Sequence, residues 1–154
     1  MVQFLGKAYE LKLECHKKGE IIIGIEGEKL LLRYPEGIGK VKDILRQWLM
    51  EQAKVLILKR VDFYANKMKL SYGKVTIKDQ KTRWGSCSSK KNLNFNYRLI
   101  MAPLEVLDYV VVHELAHLKQ MNHSELFWRE VEQIIPDYNT RRNWLKFHQK
   151  QLKL

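Results

Sequence analysis

Residues 110–128 read VVVHELAHLKQMNHSELFW, and the stretch holds His113, Glu114, His117 and His123. The first three form H-E-x-x-H. On an α-helix, residues four apart share one face, a turn apart along the axis. Two imidazoles so placed can share one tetrahedral ion, with Zn–N contacts of about 2.0–2.1 Å. Glu114 follows His113 directly and falls beside the pair. Zinc lowers the pKa of bound water to about 7, so hydroxide becomes available at neutral pH. Glu114 is positioned to take that proton and later pass it to a leaving group. The chemistry implied is hydrolysis, with three protein ligands and one open, water-filled metal position.

The third ligand must come from elsewhere. His123 follows His117 by six residues, the spacing of the last histidine in H-E-x-x-H-x-x-G-x-x-H. Gln120 stands where that pattern has glycine, and Met121-Asn122 can supply the turn, since Asn tolerates left-handed geometry. The alternative is a glutamate of the next helix. Glu130 and Glu132 each fall about 100° from the centre of the stripe made by Phe127, Trp128, Val131, Ile134 and Ile135, so neither clearly points inward. A short H-E-x-x-H also arises by chance on buried helices. Here histidine is scarce, however, and three of the five in the chain lie in this one segment. The reading is zinc on His113, His117 and His123, with His16 and His148 as surface residues.

The elements that must hold these side chains follow from periodicity. Pro103 opens a helix at a position where its missing N–H costs little, and that helix should run to about Lys119. Ser124 is an N-cap candidate for a second helix, SELFWREVEQII, which Pro136 ends. DYNTRRNWLKFHQKQLK reads as a third. Upstream, Val41, Ile44, Leu45, Trp48, Leu49, Leu56 and Phe63 recur near helical spacing, so residues 39–68 form one long amphipathic helix or two shorter ones. EIIIGIEGEKLLLRY reads as a hairpin about Glu26-Gly27 within N-terminal strands spanning 1–38. GKVTIKD, KTRWGSCS and LNFNYRLIM read as three short strands in a meander, opening a catalytic core over 74–154. Strands, helix, strands and then helices argue an α+β fold in one domain, a small antiparallel sheet with a long helix and a helical C-terminal part.

Composition sets outer limits. A chain of 154 residues with 45% hydrophobic content can bury roughly 70% of its unfolded surface, so it needs neither metal nor disulfides merely to fold. Cys15 and Cys87 form no framework of spaced pairs. MVQFLGKAYELKLE alternates apolar and polar residues where a signal peptide would have a charged start and an apolar run. No apolar stretch approaches a membrane span. A cytoplasmic location is therefore expected, and Asn122-His123-Ser124 is a chance match to a glycosylation acceptor. The net charge is +11. Residues 59–91 carry ten Lys/Arg against Asp62 and Asp79, and 141–154 carry five basic residues and no acid. Such a surface either attracts acidic peptides, nucleotides or nucleic acid, or only aids solubility.

TRWGSCSSKKNLNFNYRLIMAPLEVLDYVVVHELAHLKQMNHSELFWREVEQIIPDYNTRRNWL resembles the YgjP-like metal-dependent hydrolases, which are related to other zinc metallopeptidases. R-W-G-S-C, H-E-L-A-H-L and N-H-S-x-x-F-W carry the likeness over about residues 74–145, and FLGKAYELKLE resembles the upstream strands. The resemblance implies a zincin-like fold, zinc on the three histidines, Glu114 as acid/base and a strand at Arg83–Cys87 lining the cleft. Members are longer at the N-terminus, which implies a shortened form here. From the residues themselves, Gly85 suggests close backbone approach, and Trp84 reads as core or cleft wall. Ser86 accompanies them on the strand. Cys87 is either an inert buried thiol or a fourth, inhibitory ligand. Tyr138, Arg141 and Arg142 either place an oxyanion donor near the open site or serve capping and surface roles.

Three functions compete at this level. The first is a zinc peptidase that holds a peptide or protein substrate by strand addition. The second is a metal-dependent hydrolase of a small anionic substrate such as a nucleotide, with Arg83, Arg141 and Arg142 clamping phosphates. The third is a basic nucleic-acid-binding module with structural zinc. Glu114 argues against the third, since a closed structural site needs no acid/base.

Overall fold

The computed structural model describes residues 1–154. The alternating N-terminal segment forms β1 (Val2–Phe4) and β2 (Lys7–His16), joined by a tight turn. Leu5 and Gly6 there both take positive φ, +47° and +81°. This turn docks on the segment preceding the helix that carries H-E-x-x-H. Leu5 N–H donates to Ile100 O at 2.7 Å and Gly6 N–H to Met101 O at 3.0 Å. A Cβ on Gly6 would meet Pro103 Cγ at 2.9 Å, so only glycine permits the approach. The expected hairpin is β3 (Ile22–Glu26) and β4 (Lys29–Pro35), with Glu26 opposite Lys29. The four strands pair in the order β1-β2-β4-β3, with β2 and β4 parallel.

Residues 41–68 form one uninterrupted helix, α1 (Val41–Met68). Its buried side chains are Leu45, Leu49, Ala53, Ile57, Val61, Tyr64, Ala65 and Met68, a stripe repeating every three to four residues. Phe63 does not belong to it. It is half exposed, and its ring lies beside the Arg60 guanidinium and edge-on to Tyr64. Leu30, Leu32, Val2 and Leu45 join the first sheet to the start of α1. The main core fills the space between the rest of α1 and the C-terminal half.

The second sheet comprises β5 (Val75–Lys78), β6 (Gly85–Cys87) and β7 (Leu93–Asn96), in the order β5-β7-β6. It is not the expected meander. β5 and β7 run parallel and only β6–β7 is antiparallel, so both sheets are mixed. The cause is local to Asn96, which is 4% exposed. Its amide donates to Gln80 O at 2.7 Å and Arg83 O at 3.0 Å, holding the 80–83 loop across the end of β7. Its carbonyl accepts from Arg98 N–H at 3.0 Å and starts a 3-10 turn over Tyr97–Met101. That turn ends β7 where the sequence suggests continued strand.

Three helices complete the chain: α2 (Leu104–Ala116), α3 (Glu125–Ile134) and α4 (Tyr138–His148). α2 is central, with Val106, Leu107, Val110–Val112, Leu115 and Ala116 all buried. Asp108 is buried among them and is satisfied from α1. Arg60 grips it with two bonds of 2.8 and 2.7 Å, and Tyr64 O–H donates at 2.9 Å. This tie locks α2 against α1. Asp108→Ala should leave the Arg60 guanidinium without its partner and lower unfolding free energy by about 3 kcal/mol. For a chain this size, that means a Tm lower by roughly 6–12 °C, readable by thermal circular dichroism. A fall below about 1 kcal/mol, as for an exposed pair, would show that water replaces the tie. No helix is long and apolar enough to cross a membrane.

Candidate metal centre

Inside an apolar helix each polar side chain must find a partner or pay for desolvation. On α2 this organises the site. Glu114 is 5% exposed, and its Oε2 lies 3.1 Å from His113 Nδ1. His117 is 8% exposed and occupies the C-cap. Its Nδ1 lies 3.0 Å from Gln120 O, a contact that assigns the proton to Nδ1 and leaves the Nε2 lone pair free. α2 stops at Ala116, three residues short of the expected Lys119. Leu118 and Lys119 continue it only as a tighter turn onto Leu115 O and Ala116 O.

Stopping there lets the chain reverse. Ser124 caps α3 by accepting from Phe127 N–H at 3.4 Å, as its N-cap position suggests. The reversal returns His123 to the pair, with its Nε2 3.1 Å from His117 Nε2. One ring nitrogen from each of His113, His117 and His123 lies within 4.8 Å of the other two. Ligands of a tetrahedral zinc stand roughly 3.3 Å apart by the usual bond length. The donor set and its spacing therefore fit a metal ion. Partial desolvation, then the neighbouring His113 and His117, lower the pKa of the otherwise exposed His123 and so favour the neutral form that coordination requires. Glu130 lies outside the cluster, 3.5 Å from Lys119 Nζ, and Glu132 is exposed.

α3 supplies the aromatic floor. Phe127 is fully buried, stacked on His117 at 4.4 Å and edge-on to His113 and His123 at 5.0 Å. Trp128 stacks with His123 at 6.0 Å and with Tyr138 at 5.1 Å. The Arg142 guanidinium sits 5.0 Å over the Trp128 ring. Tyr138 lines neither of the cavities at the site.

β6 forms the opposite wall. A Cβ on Gly85 would lie 2.9 Å from Glu114 Cγ and 3.0 Å from its Oε2, so glycine lets the strand press against the carboxylate. Ser86 Oγ accepts from Asn94 at 3.2 Å. The Cys87 thiol donates to Ser88 O at 3.6 Å and stands outside the three-histidine cluster. Its pKa is raised by burial, then by Glu114. Two cavities meet at Arg83, Gly85, His113 and Glu114. One, about 570 Å³, extends past Trp84 to Tyr109, Arg142 and Lys146. The other, about 240 Å³, extends past Cys87 to Met121 and His123.

Arg141 is not at the site. It pairs with Asp137 at 3.1 Å and donates to Glu105 O at 3.0 Å, and it lines neither cavity at the site. His16 is exposed, whereas His148 is partly buried and stacked on Trp144 at 4.4 Å. Tyr109 is a cleft residue that the apolar run YVVV conceals. It lies one turn before His113, with ring centroids 5.8 Å apart. Burial pushes its hydroxyl up to about 12, against the opposing pull of Arg142. Its position four residues before the first histidine of H-E-x-x-H was the available signal.

The sequence pattern of the family described as YgjP-like, metallopeptidase domain, matches residues 1–148, so the family likeness takes in the N-terminal strands and α1 as well as the motif region. No curated protein matches. Two solved structures share the fold. The metallopeptidase zymogen of Pyrococcus abyssi abylysin superposes with a TM-score of 0.55 at 23% identity, over 63% of this chain and 96% of that one. The metallopeptidase zymogen of Methanocaldococcus jannaschii jannalysin gives 0.52 at 27% identity, over 62% and 96%. The α+β architecture is therefore zincin-like.

Proposed function

We propose that this chain, which belongs to the YgjP-like metallopeptidase-domain family, is a zinc-dependent peptidase that cleaves an extended polypeptide lying along β6. The observation that carries the reading is the meeting of three histidines, a buried glutamate and a free strand edge where two cavities join. His113, His117 and His123 would hold the ion, and imidazole donors at tetrahedral spacing suit zinc. Zinc bound there supplies a Lewis acid that brings the pKa of water to about 7.

The remaining chemistry belongs to the chain. Glu114 accepts the proton of the attacking water and returns it to the departing amine. Trp84 O accepts from Asn96 N–H, and Ser88 N–H donates to Asn92 O. By antiparallel alternation, the backbone groups of Gly85 and Cys87 then face away from β7, free to pair with substrate. Arg142 and the protonated Tyr109 hydroxyl supply donors for charge that develops on the scissile carbonyl oxygen. Tyr138 acts by holding Trp128 under Arg142. Arg83, Trp84 and Ser86 wall the cleft, and Cys87 is an inert part of that wall. The free thiols of Cys15 and Cys87 suit the cytosol.

The nucleotide alternative loses support because Arg141 is turned away, so the proposed arginine clamp does not assemble. A purely structural zinc would not need a buried carboxylate beside its ligands. Purified protein should hydrolyse casein, lose the activity to a chelator and regain it with zinc, while leaving nucleoside triphosphates intact. Chelator-sensitive triphosphate hydrolysis with casein untouched would overturn the reading.

A further inference from the structure

We propose that the trough beside the metal centre is a subsite for acidic side chains of the polypeptide segment that follows the scissile bond. This rests on the peptidase reading and names its substrate class. The 570 Å³ cavity beside His113 and Glu114 shares Arg83, Trp84 and Gln149 with a neighbouring one of about 470 Å³. The two form one depression running from Glu114 past the start of β6 to the C-terminal tail. Arg83, Arg142 and Lys146 line the inner part, and Lys81, Lys150 and Lys153 the outer. None of these six cations is within ion-pair distance of a carboxylate. Arg98, the remaining cation on the wall, is already neutralised by Asp79 at 2.7 Å. Glu114 is the one carboxylate lining either cavity.

The backbone that carries the outer cations is held from behind. Buried Asn96 grips Gln80 O and Arg83 O, which fixes the loop carrying Lys81 and Arg83. Leu152, 2% exposed, anchors the tail between Lys150 and Lys153. A concave surface with six unpaired positive charges attracts anions, and its walls focus the field. Direction follows from β6. Antiparallel pairing is the more stable kind, and a strand antiparallel to Gly85–Cys87 runs from Cys87 towards Gly85 and onward to Arg83. Residues after the scissile bond therefore enter the trough. The occupant is a polypeptide because the free backbone groups of Gly85 and Cys87 can pair with an added strand, which places its carboxylates among the cations of the trough.

The test starts from a cleavage site mapped in casein and placed in synthetic peptides. One carries a Glu triplet after the bond, one carries it before, and one has Gln throughout. The peptide with Glu after the bond should show kcat/KM about tenfold above the Gln peptide, the sum expected of a few exposed ion pairs. The gain should shrink as salt rises. A K81Q/K150Q/K153Q variant should bring the ratio near one, and the matching Lys→Arg triple should retain it. In parallel, calorimetry on zinc-loaded Glu114→Gln protein should show about a tenfold weaker Kd for the acidic peptide when the three lysines are Gln. An unchanged ratio, or a preference for acids before the bond, overturns the subsite. So does an oligonucleotide of equal charge that binds tighter than the peptide with the same lysine dependence. If no peptide is cleaved yet the acidic one binds through the lysines, the subsite stands and the peptidase reading falls.

Discussion

Glu114→Gln should retain zinc and fold while lowering turnover by about 10²–10⁴-fold, the usual contribution of a positioned general base. Glutamine has the shape of the native side chain, which matters because Gly85 leaves no room for anything larger. A Cβ at Gly85 would already fall within 3.0 Å of the carboxylate. The amide oxygen can still accept from His113 Nδ1, 3.1 Å away in the native pair, so ring orientation is preserved. Only the capacity to take a proton is lost. The loss should appear in kcat and kcat/KM alike, since the carboxylate acts on the reacting water and not on substrate binding. Metal content measured on the same preparation separates this from loss of the ion. Turnover unchanged at full zinc occupancy would remove Glu114 from the reaction.

Much of this site was legible because its signals are local. H-E-x-x-H needs only helical spacing to bring two imidazoles together. Ser124 announces the start of α3 through its own side chain, and the six-residue step to His123 depends on one turn. Family motifs around Arg83–Cys87 pointed to a strand by the histidines; it forms over Gly85–Cys87 only, with Arg83 and Trp84 in the preceding loop, and the pressure of Gly85 on Glu114 gives a physical reason for glycine there.

What escaped the sequence depends on long-range partners. The parallel pairing of β5 with β7 depends on Asn96 gripping a loop 13 to 16 residues away. An asparagine after an alternating run reads equally well as strand. The Arg60–Asp108 tie joins helices 48 residues apart, and neither charge stands out among its neighbours. Arg141 and Arg142 are adjacent, yet about 100° apart around α4. Which of them meets the cleft is set by how buried Leu145 seats the helix, not by either arginine. Tyr109 reads as one more apolar residue of YVVV, and only packing places it on the cleft wall.

The choice of third ligand gives the other large effect. His123→Ala should weaken zinc by more than about 100-fold, since loss of an outer hydrogen-bond partner alone costs 10–100-fold. The protein would then purify with little of the roughly one zinc per chain expected of the native form. His123 suits the test because it is exposed and outside regular helix, so its removal leaves the core intact. His117, buried against Phe127, would confound ligation with packing. Thermal unfolding provides an independent readout. Zinc at a hundredfold excess over Kd stabilises a binding fold by about 2.7 kcal/mol. The native protein should therefore show a zinc-dependent rise in Tm that His123→Ala lacks. Glu130→Ala should behave as native, because Glu130 faces Lys119 and not the histidines. Retained zinc in His123→Ala together with its loss in Glu130→Ala would replace the three-histidine site with a histidine–glutamate one. It would also require α3 to turn in solution, bringing Glu130 to the position that Phe127 now fills.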